Sequence, residues 1–291
     1  MEITSEYVGR KSKPYRVTLT PRRTMNYAAA TLDDTPAYYA DDRPEGMVVP
    51  PMLAVALTWH MAANLDSFWK MDDFPRHVVS RQVHYSEFLE WHQPMRPDDT
   101  LEITAEVTAV LPHRAGTHLI VRHDAVRDGE LVFTEWAGAM LRDVKCTDGG
   151  KGKENVPTFA PFSRTGDDLW EKVIPVHPLA SHLYDGCGDL HFPIHTSQAF
   201  AKSVGLPGII LHGTATLAMA VREIVRYEAD GDPERVASVR CNFTGMVIPG
   251  TEIVVRAQGR NEHEAGTDIH FLVLNAEDKR AIRHACVTLR K

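Results

Sequence analysis

Residues 112–121 read Pro-His-Arg-Ala-Gly-Thr-His-Leu-Ile-Val, and residues 262–271 read Glu-His-Glu-Ala-Gly-Thr-Asp-Ile-His-Phe. The shared Ala-Gly-Thr, at 115–117 and at 265–267, sits in the same surroundings both times. An alternating apolar stretch precedes it, Leu101 to Val110 in one case and Ile253 to Ala257 in the other. A strand-like run follows, then a polar turn (Arg127-Asp128-Gly129 or Glu277-Asp278-Lys279), then a last strand. Self-similarity on this scale means one structural unit written twice.

The repeat extends upstream. Tyr27 to Pro36 spans the same distance as Tyr184 to Pro193, and both lead to a glycine with three apolar residues, Gly46-Met47-Val48-Val49 and Gly208-Ile209-Ile210-Leu211. Apolar residues then recur at helical spacing: Leu53, Leu57, Met61, Leu65 and Phe68 in the first copy, Leu217, Ala218, Val221, Ile224 and Val225 in the second. Pro51 suits a first helical turn, and the spacing predicts an intact first helix. Each half therefore reads as a short leading strand, a loop, one long apolar helix and about four antiparallel strands. A lone helix buries its apolar face on a curved antiparallel sheet, which makes the fold class α+β. The expected division is 1–146 for the first half, a Gly, Lys, Pro, Ser and Asp-rich linker at 147–168, and 169–291 for the second half. Two such units can continue one sheet and hide each other's edges.

Composition narrows the function classes. The 291 residues suffice for two cores without staples. With 32 basic against 39 acidic residues, the net charge of −7 lacks the basic footprint of a nucleic-acid binder. No run of about eighteen apolar residues predicts a membrane span, and Met1 to Pro21 has no apolar signal region. Cys146, Cys187, Cys241 and Cys286 show no paired short spacing and read as reduced thiols, so the expected location is cytoplasmic.

The halves differ where chemistry could sit. Aligned on Pro36 and Pro193, Leu32 stands where the second half has Asp189, and Tyr38 where it has His195. Pro50-Pro51 replaces His212-Gly213 at the start of the long helix. A carboxylate, an imidazole and a backbone N–H donor are thus missing together from one copy. Taken singly, these residues could be a turn cap, a packed ring and a tight helix start. Taken together, Asp189 and His195 can share an acid/base task, and Gly213 can offer its N–H to developing negative charge at a helix N-terminus. Proline cannot donate there. The first half reads as the supporting copy.

The stretch from Tyr184 to Gly213 resembles the MaoC-like, or hydratase 2, family of hot-dog proteins. The residues that carry the resemblance are Cys187-Gly188-Asp189, Pro193-Ile194-His195, Phe200-Ala201 and Ile209-Ile210-Leu211-His212-Gly213, with Arg240 to Phe243 and Val247-Ile248-Pro249-Gly250 downstream. It covers 175–291 directly and the first half through the repeat, as in the family's double hot-dog members. Two departures stand out. Five residues separate Asp189 from His195 where the family has four, and the family's Asn is missing, with His191 and Phe192 in that region. The extra residue is expected to bulge in the loop.

The resemblance implies a double hot-dog fold and reversible hydration of a trans-2-enoyl-CoA to a (3R)-hydroxyacyl-CoA. Asp189 and His195 would hold one water, and Gly213, next to His212, would bind the thioester carbonyl. No metal and no cofactor beyond the coenzyme A of the substrate is implied, and the unit would be a monomer or a homodimer. Three rivals remain. Asp189, His191 and His195 could be a metal site, although Pro193 interrupts the spacing. A hot-dog thioesterase would need a helix carboxylate, for which Glu223 is the acidic candidate. A non-catalytic thioester-binding subunit would need neither. Met47, Met52, Phe192 and Phe200 are candidates for the pocket wall or for core, and an intact first helix favours short or medium acyl groups.

Overall fold

Gly116 and Gly266 mark where each half folds back on itself. Their φ angles are 142° and 159°. A Cβ on Gly116 would lie 2.0 Å from the Leu141 carbonyl oxygen, and one on Gly266 2.0 Å from that of Leu289. Only glycine lets the last strand of each half pass this close, which explains why the triplet recurs.

The computed structural model describes residues 1–164 and 166–291; Thr165, within the stretch read as a linker, lies outside the described residues. The first half runs β1 (Glu2–Ile3), β2 (Tyr15–Thr18), α1 (Pro21–Ala30), α2 (Leu53–Ala63), α3 (Leu65–Phe68), β3 (Gln82–Trp91), β4 (Thr100–His113), β5 (Gly116–Arg127) and β6 (Glu130–Arg142). After the short β7 (Lys145–Cys146), the second runs β8 (Trp170–Pro175), α4 (Ala180–Gly188), α5 (Pro193–Thr196), α6 (Gln198–Ser203), α7 (Gly213–Glu228), β9 (Val236–Phe243), β10 (Glu252–His263), β11 (Gly266–Asn275) and β12 (Arg280–Arg290). Ten strands form one sheet in the order β2-β4-β5-β6-β3-β9-β12-β11-β10-β8. The halves meet where β3 pairs antiparallel with β9, from Ser86 opposite Asn242 to Glu90 opposite Ser238. This is a double hot-dog fold. No helix among the described residues is long and apolar enough to cross a membrane.

The two central helices are unequal. α7 keeps sixteen residues, and its buried face includes Leu217, Val221, Ile224 and Val225. α2 is apolar on every side and buries Leu53, Leu57 and Met61 completely; each such side chain stabilises the fold by about 1.5–3 kcal/mol relative to exposure. α2 starts at Leu53, not Pro51, and stops at Ala63, because Asn64 leaves the helical region with φ −120° and ψ 49°. Leu65 and Phe68 belong to the separate one-turn α3. The expected intact first helix is therefore corrected: it is five residues shorter than its counterpart.

Two residues matched by the repeat touch each other. The Tyr27 and Tyr184 hydroxyls are 3.1 Å apart, both rings fully buried between α1 and α4. The repeat also sets a backbone kink: Leu32 and Asp189 both have positive φ, 51° and 56°.

The glycine geometry yields a stability test. Gly116→Ala and Gly266→Ala should each cost more than about 2 kcal/mol, from backbone overlap and left-handed φ together. Gly129→Ala, at φ 85° with no atom within 4 Å of the new Cβ, should cost only the roughly 1–2 kcal/mol of the left-handed conformation. Urea unfolding that ranked Gly129 with the other two would refute the close-approach explanation.

Candidate active site

His195 sits on the one-turn α5, which Pro193 opens at its first position. Its Nδ1 lies 2.8 Å from the Ile210 carbonyl oxygen. A carbonyl can only accept, so Nδ1 carries the proton and Nε2 keeps a free lone pair. The ring stacks on His212, with centroids 3.7 Å apart at 26°. Burial, reinforced by the His212 imidazole, pushes the His195 pKa down to about 3. Both rings are neutral at ordinary pH, since burial lowers His212 as well, against the pull of the Asp185 carboxylate.

His212 caps the start of α7 and is buried. Its Nε2 is 3.4 Å from Asp185 Oδ2. Asp185 also accepts the Phe192 N–H at 3.3 Å, tying α4 to the segment that leads into α5. Gly213 is the first residue of α7, where the N–H has no acceptor within the helix. A Cβ at Gly213 would lie 2.9 Å from the Phe243 ring. Thr214, one residue on, accepts the Tyr184 hydroxyl at 3.1 Å, so the tyrosine pair braces the same helix start.

The structure brings His195, His212 and Gly213 together but does not place Asp189 in contact with His195. Asp189 follows α4 in the left-handed conformation, exposed, with Oδ1 3.4 Å from His191 Nε2. It faces the first half: burial lowers the His60 pKa, and the Asp189 carboxylate works against that shift. Of the residues between Asp189 and His195, Leu190 turns into the core and Phe192 packs edge-on against Trp59 of α2, 5.3 Å between centroids. Asp185, which the sequence pattern around Asp189 does not single out, is the carboxylate next to the stacked histidines. A signal existed. Aligned on Tyr27 and Tyr184, Asp185 stands where the first half has Ala28, so it too is absent from the supporting copy.

Beside these residues a cavity of about 110 Å³ opens in the first half, lined by Trp59, Ala62, Leu65, Trp69, Phe74 and Leu119 among others. At about 10–15 Å³ per water on this measure, it has room for roughly seven or more water-sized groups. It lies where α2 stops short. Phe243 links it to the helix start, since the ring touches the Gly213 position and packs on His84 at 4.5 Å. Of the other pocket candidates, Met47 and Met52 are buried core residues and Phe200 is exposed.

Residues 164–280 match the MaoC like domain, and residues 6–135 match the FAS1-like, dehydratase domain region. The second half of the chain is a MaoC-like domain. Enoyl-CoA hydratase ChsH3 of Mycobacterium tuberculosis is 27% identical over 220 residues, which is 75% of this chain and 73% of that protein. A fatty acid synthase subunit beta of Aspergillus oryzae is 42% identical over 124 residues, 38% of this chain but only 6% of that protein. The crystal structure of a MaoC-like dehydratase from Phytophthora capsici has a TM-score of 0.84 at 18% identity, with 99% of each chain covered.

Among the described residues, Asp268, His270 and Cys286 place possible metal-ligand atoms within 4.8 Å of one another. They are otherwise engaged. Thr288 donates to Asp268, Asn261 pairs with His270, and burial pushes the Cys286 thiol up to about 12.

The buried rings give a pH dependence. Burial holds His84 and His118 at about 4 and, with His212, His195 at about 3, whereas an unfolded histidine titrates near 6.5. As pH falls below about 6.5, the unfolded chain takes up protons first, so stability drops through the window from about 6.5 to about 4. Glu87, pushed up by burial and by Glu135, and Asp33, pushed up by burial, act in the opposite sense, two groups against seven lowered histidines. Urea midpoints should fall with acidification, by up to about 1.4 kcal/mol per pH unit for each ring. Midpoints that stayed level down to about pH 5 would rule out the depressed values.

Proposed function

We propose that the protein adds water reversibly across the double bond of a trans-2-enoyl-CoA, giving a (3R)-hydroxyacyl-CoA. The observation that carries the reading is the convergence of a neutral His195, with its Nε2 lone pair free, and the Gly213 N–H at the start of α7. The MaoC-like domain of the second half and the likeness to a named enoyl-CoA hydratase support it.

In this reading the thioester carbonyl accepts from the Gly213 N–H, where the helix dipole favours the enolate-like charge of the transition state. His195 Nε2 accepts a hydrogen bond from the water that attacks C3. Asp189 is the second partner of that water and passes its proton to C2. The loop that joins the two packs on α2 through Phe192 and Trp59. Asp185 and His212 are positioning residues: they hold the Phe192 segment and the stacking face of His195. The acyl chain runs past Phe243 into the first-half cavity, so the shortened α2 favours a longer acyl group than an intact helix would. One chain supplies both halves, so a monomer suffices for one site. We place the protein in the cytoplasm, where four free thiols stay reduced.

A thioesterase reading lacks its carboxylate. Glu223 is buried, with Oε1 2.6 Å from Arg222 and 3.3 Å from Arg226, and so serves as an internal ion-pair partner.

Crotonyl-CoA distinguishes the activities, since hydration removes the enone absorbance and thioester cleavage releases free thiol. Loss of enone without thiol is expected; thiol release with the enone intact would sink the hydratase reading. His195→Gln and Asp189→Asn should each lower kcat by about 10²–10⁴-fold, and Gly213→Ala by about 10²–10³-fold, with folding checked by circular dichroism. If Asp185→Asn removed kcat and Asp189→Asn did not, the carboxylate role would belong to Asp185.

A further inference from the structure

Around the cavity the first half encloses four ionisable side chains, three buried and His84 half-buried, that the hydration step does not use. His123 and Glu135 are directly paired across β5 and β6, with Nδ1 2.8 Å from Oε2. Thr58 of α2 donates to the other Glu135 oxygen at 3.0 Å. Glu87 of β3 lies 3.0 Å from His84 Nε2. Both glutamate side chains have no exposed surface, and both Glu87 oxygens lack a well-aligned hydrogen bond. Thr58, His84 and His123 line the cavity, with Gln82, amid its apolar wall.

The fold does not require this polarity. In the second half the β11–β12 partners that match His123 and Glu135 are Val273 and Ile282, both buried and apolar. Burying charged or polar groups where the same fold accepts aliphatic ones costs stability unless they are put to use. The same contrast between copies picks out the His195 site, but here the polar copy is the first.

The chemistry of the pair names the ligand. His123 Nδ1 and Glu135 Oε2 face each other at 2.8 Å but out of line for a hydrogen bond, so both are buried without a partner and the ring proton can sit on either nitrogen. A ring nitrogen that can donate or accept, on the wall of an apolar cavity, matches a hydroxyl, which does both. Resting on the hydratase reading, we propose that the cavity selects an acyl group bearing a hydroxyl remote from the thioester, bound by His123 with Glu135 and Thr58 behind it. Glu135 is a positioning residue in this scheme, lying against the His123 ring. An alkyl chain in the same place would leave the imidazole buried and unpaired, which is the stronger form of discrimination.

The test compares matched pairs of trans-2-enoyl-CoA, plain and ω-hydroxylated, over a series of chain lengths. The ratio of their kcat/KM values should favour the hydroxylated member by at least about tenfold at the length that reaches His123. The double variant His123→Val with Glu135→Ile copies the apolar pair of the second half, so it is built to fold, and its ratio should invert. Calorimetric binding of the corresponding saturated thioesters repeats the comparison without chemistry. A wild-type ratio of one or below at every length, in rates and in binding, overturns the proposal. A binding preference that the double variant abolishes, with no hydration of any substrate, would uphold the cavity assignment and sink the hydratase reading alone.

Discussion

Pairing of β3 with β9 is the constraint on which the rest of the structure depends. Each half alone would present an unpaired strand edge at that point, open to association with other chains. Joined from Ser86 opposite Asn242 to Glu90 opposite Ser238, the edges disappear into one ten-stranded sheet. The register also does chemical work. It puts Phe243, at the end of β9, against His84 of β3 and against the Gly213 position at once. The start of the second helix and the cavity wall at His84 thereby lie on either side of the Phe243 ring.

Duplication then lets one fold divide incompatible demands. A helix start that presents a free N–H and two stacked imidazoles has lost apolar packing there; the first copy keeps prolines and the buried Tyr38 instead. A cavity beside a truncated helix has lost core there; the second copy keeps the full-length α7. Arg222 of α7 secures the arrangement by donating to the carbonyls of Thr31 and Leu32, the left-handed turn that matches Asp189. A change at that turn in the supporting half therefore bears on the helix whose start forms the site in the other.

Much of this was legible in the sequence, for identifiable reasons. The repeat was visible because Gly116 and Gly266 meet the same backbone obstruction, which no other residue tolerates. His195 and Gly213 were visible because their counterparts, Tyr38 and Pro51, cannot do the same chemistry. The break at Asn64 was not visible: Leu65 and Phe68 continue the apolar spacing across it, and periodicity does not register a turn of backbone. Asp185 was obscured by the more familiar pattern around Asp189, although its replacement by Ala28 carried the same internal signal. The four ionisable residues around the cavity were hidden in strands. Their meaning depends on cross-strand register, which sets His123 beside Glu135 from positions a turn and several residues apart.

The low proton affinity of His195 decides how labour is shared in the proposed reaction. A ring held at about 3 is a weak base at neutral pH, and general-base efficiency follows basicity. Taking a full proton from water is therefore the wrong task for it. Accepting a hydrogen bond is not, because the Ile210 carbonyl fixes the tautomer and the His212 ring fixes the plane. Orientation of this kind lowers the barrier by removing the search for geometry rather than by proton affinity. In this scheme the proton of the attacking water travels through the exposed Asp189 carboxylate, whereas Asp185 already accepts the Phe192 N–H and lies 3.4 Å from His212 Nε2. The division of roles follows from burial: the imidazole is deep, neutral and fixed, and the carboxylate is shallow, beside His191.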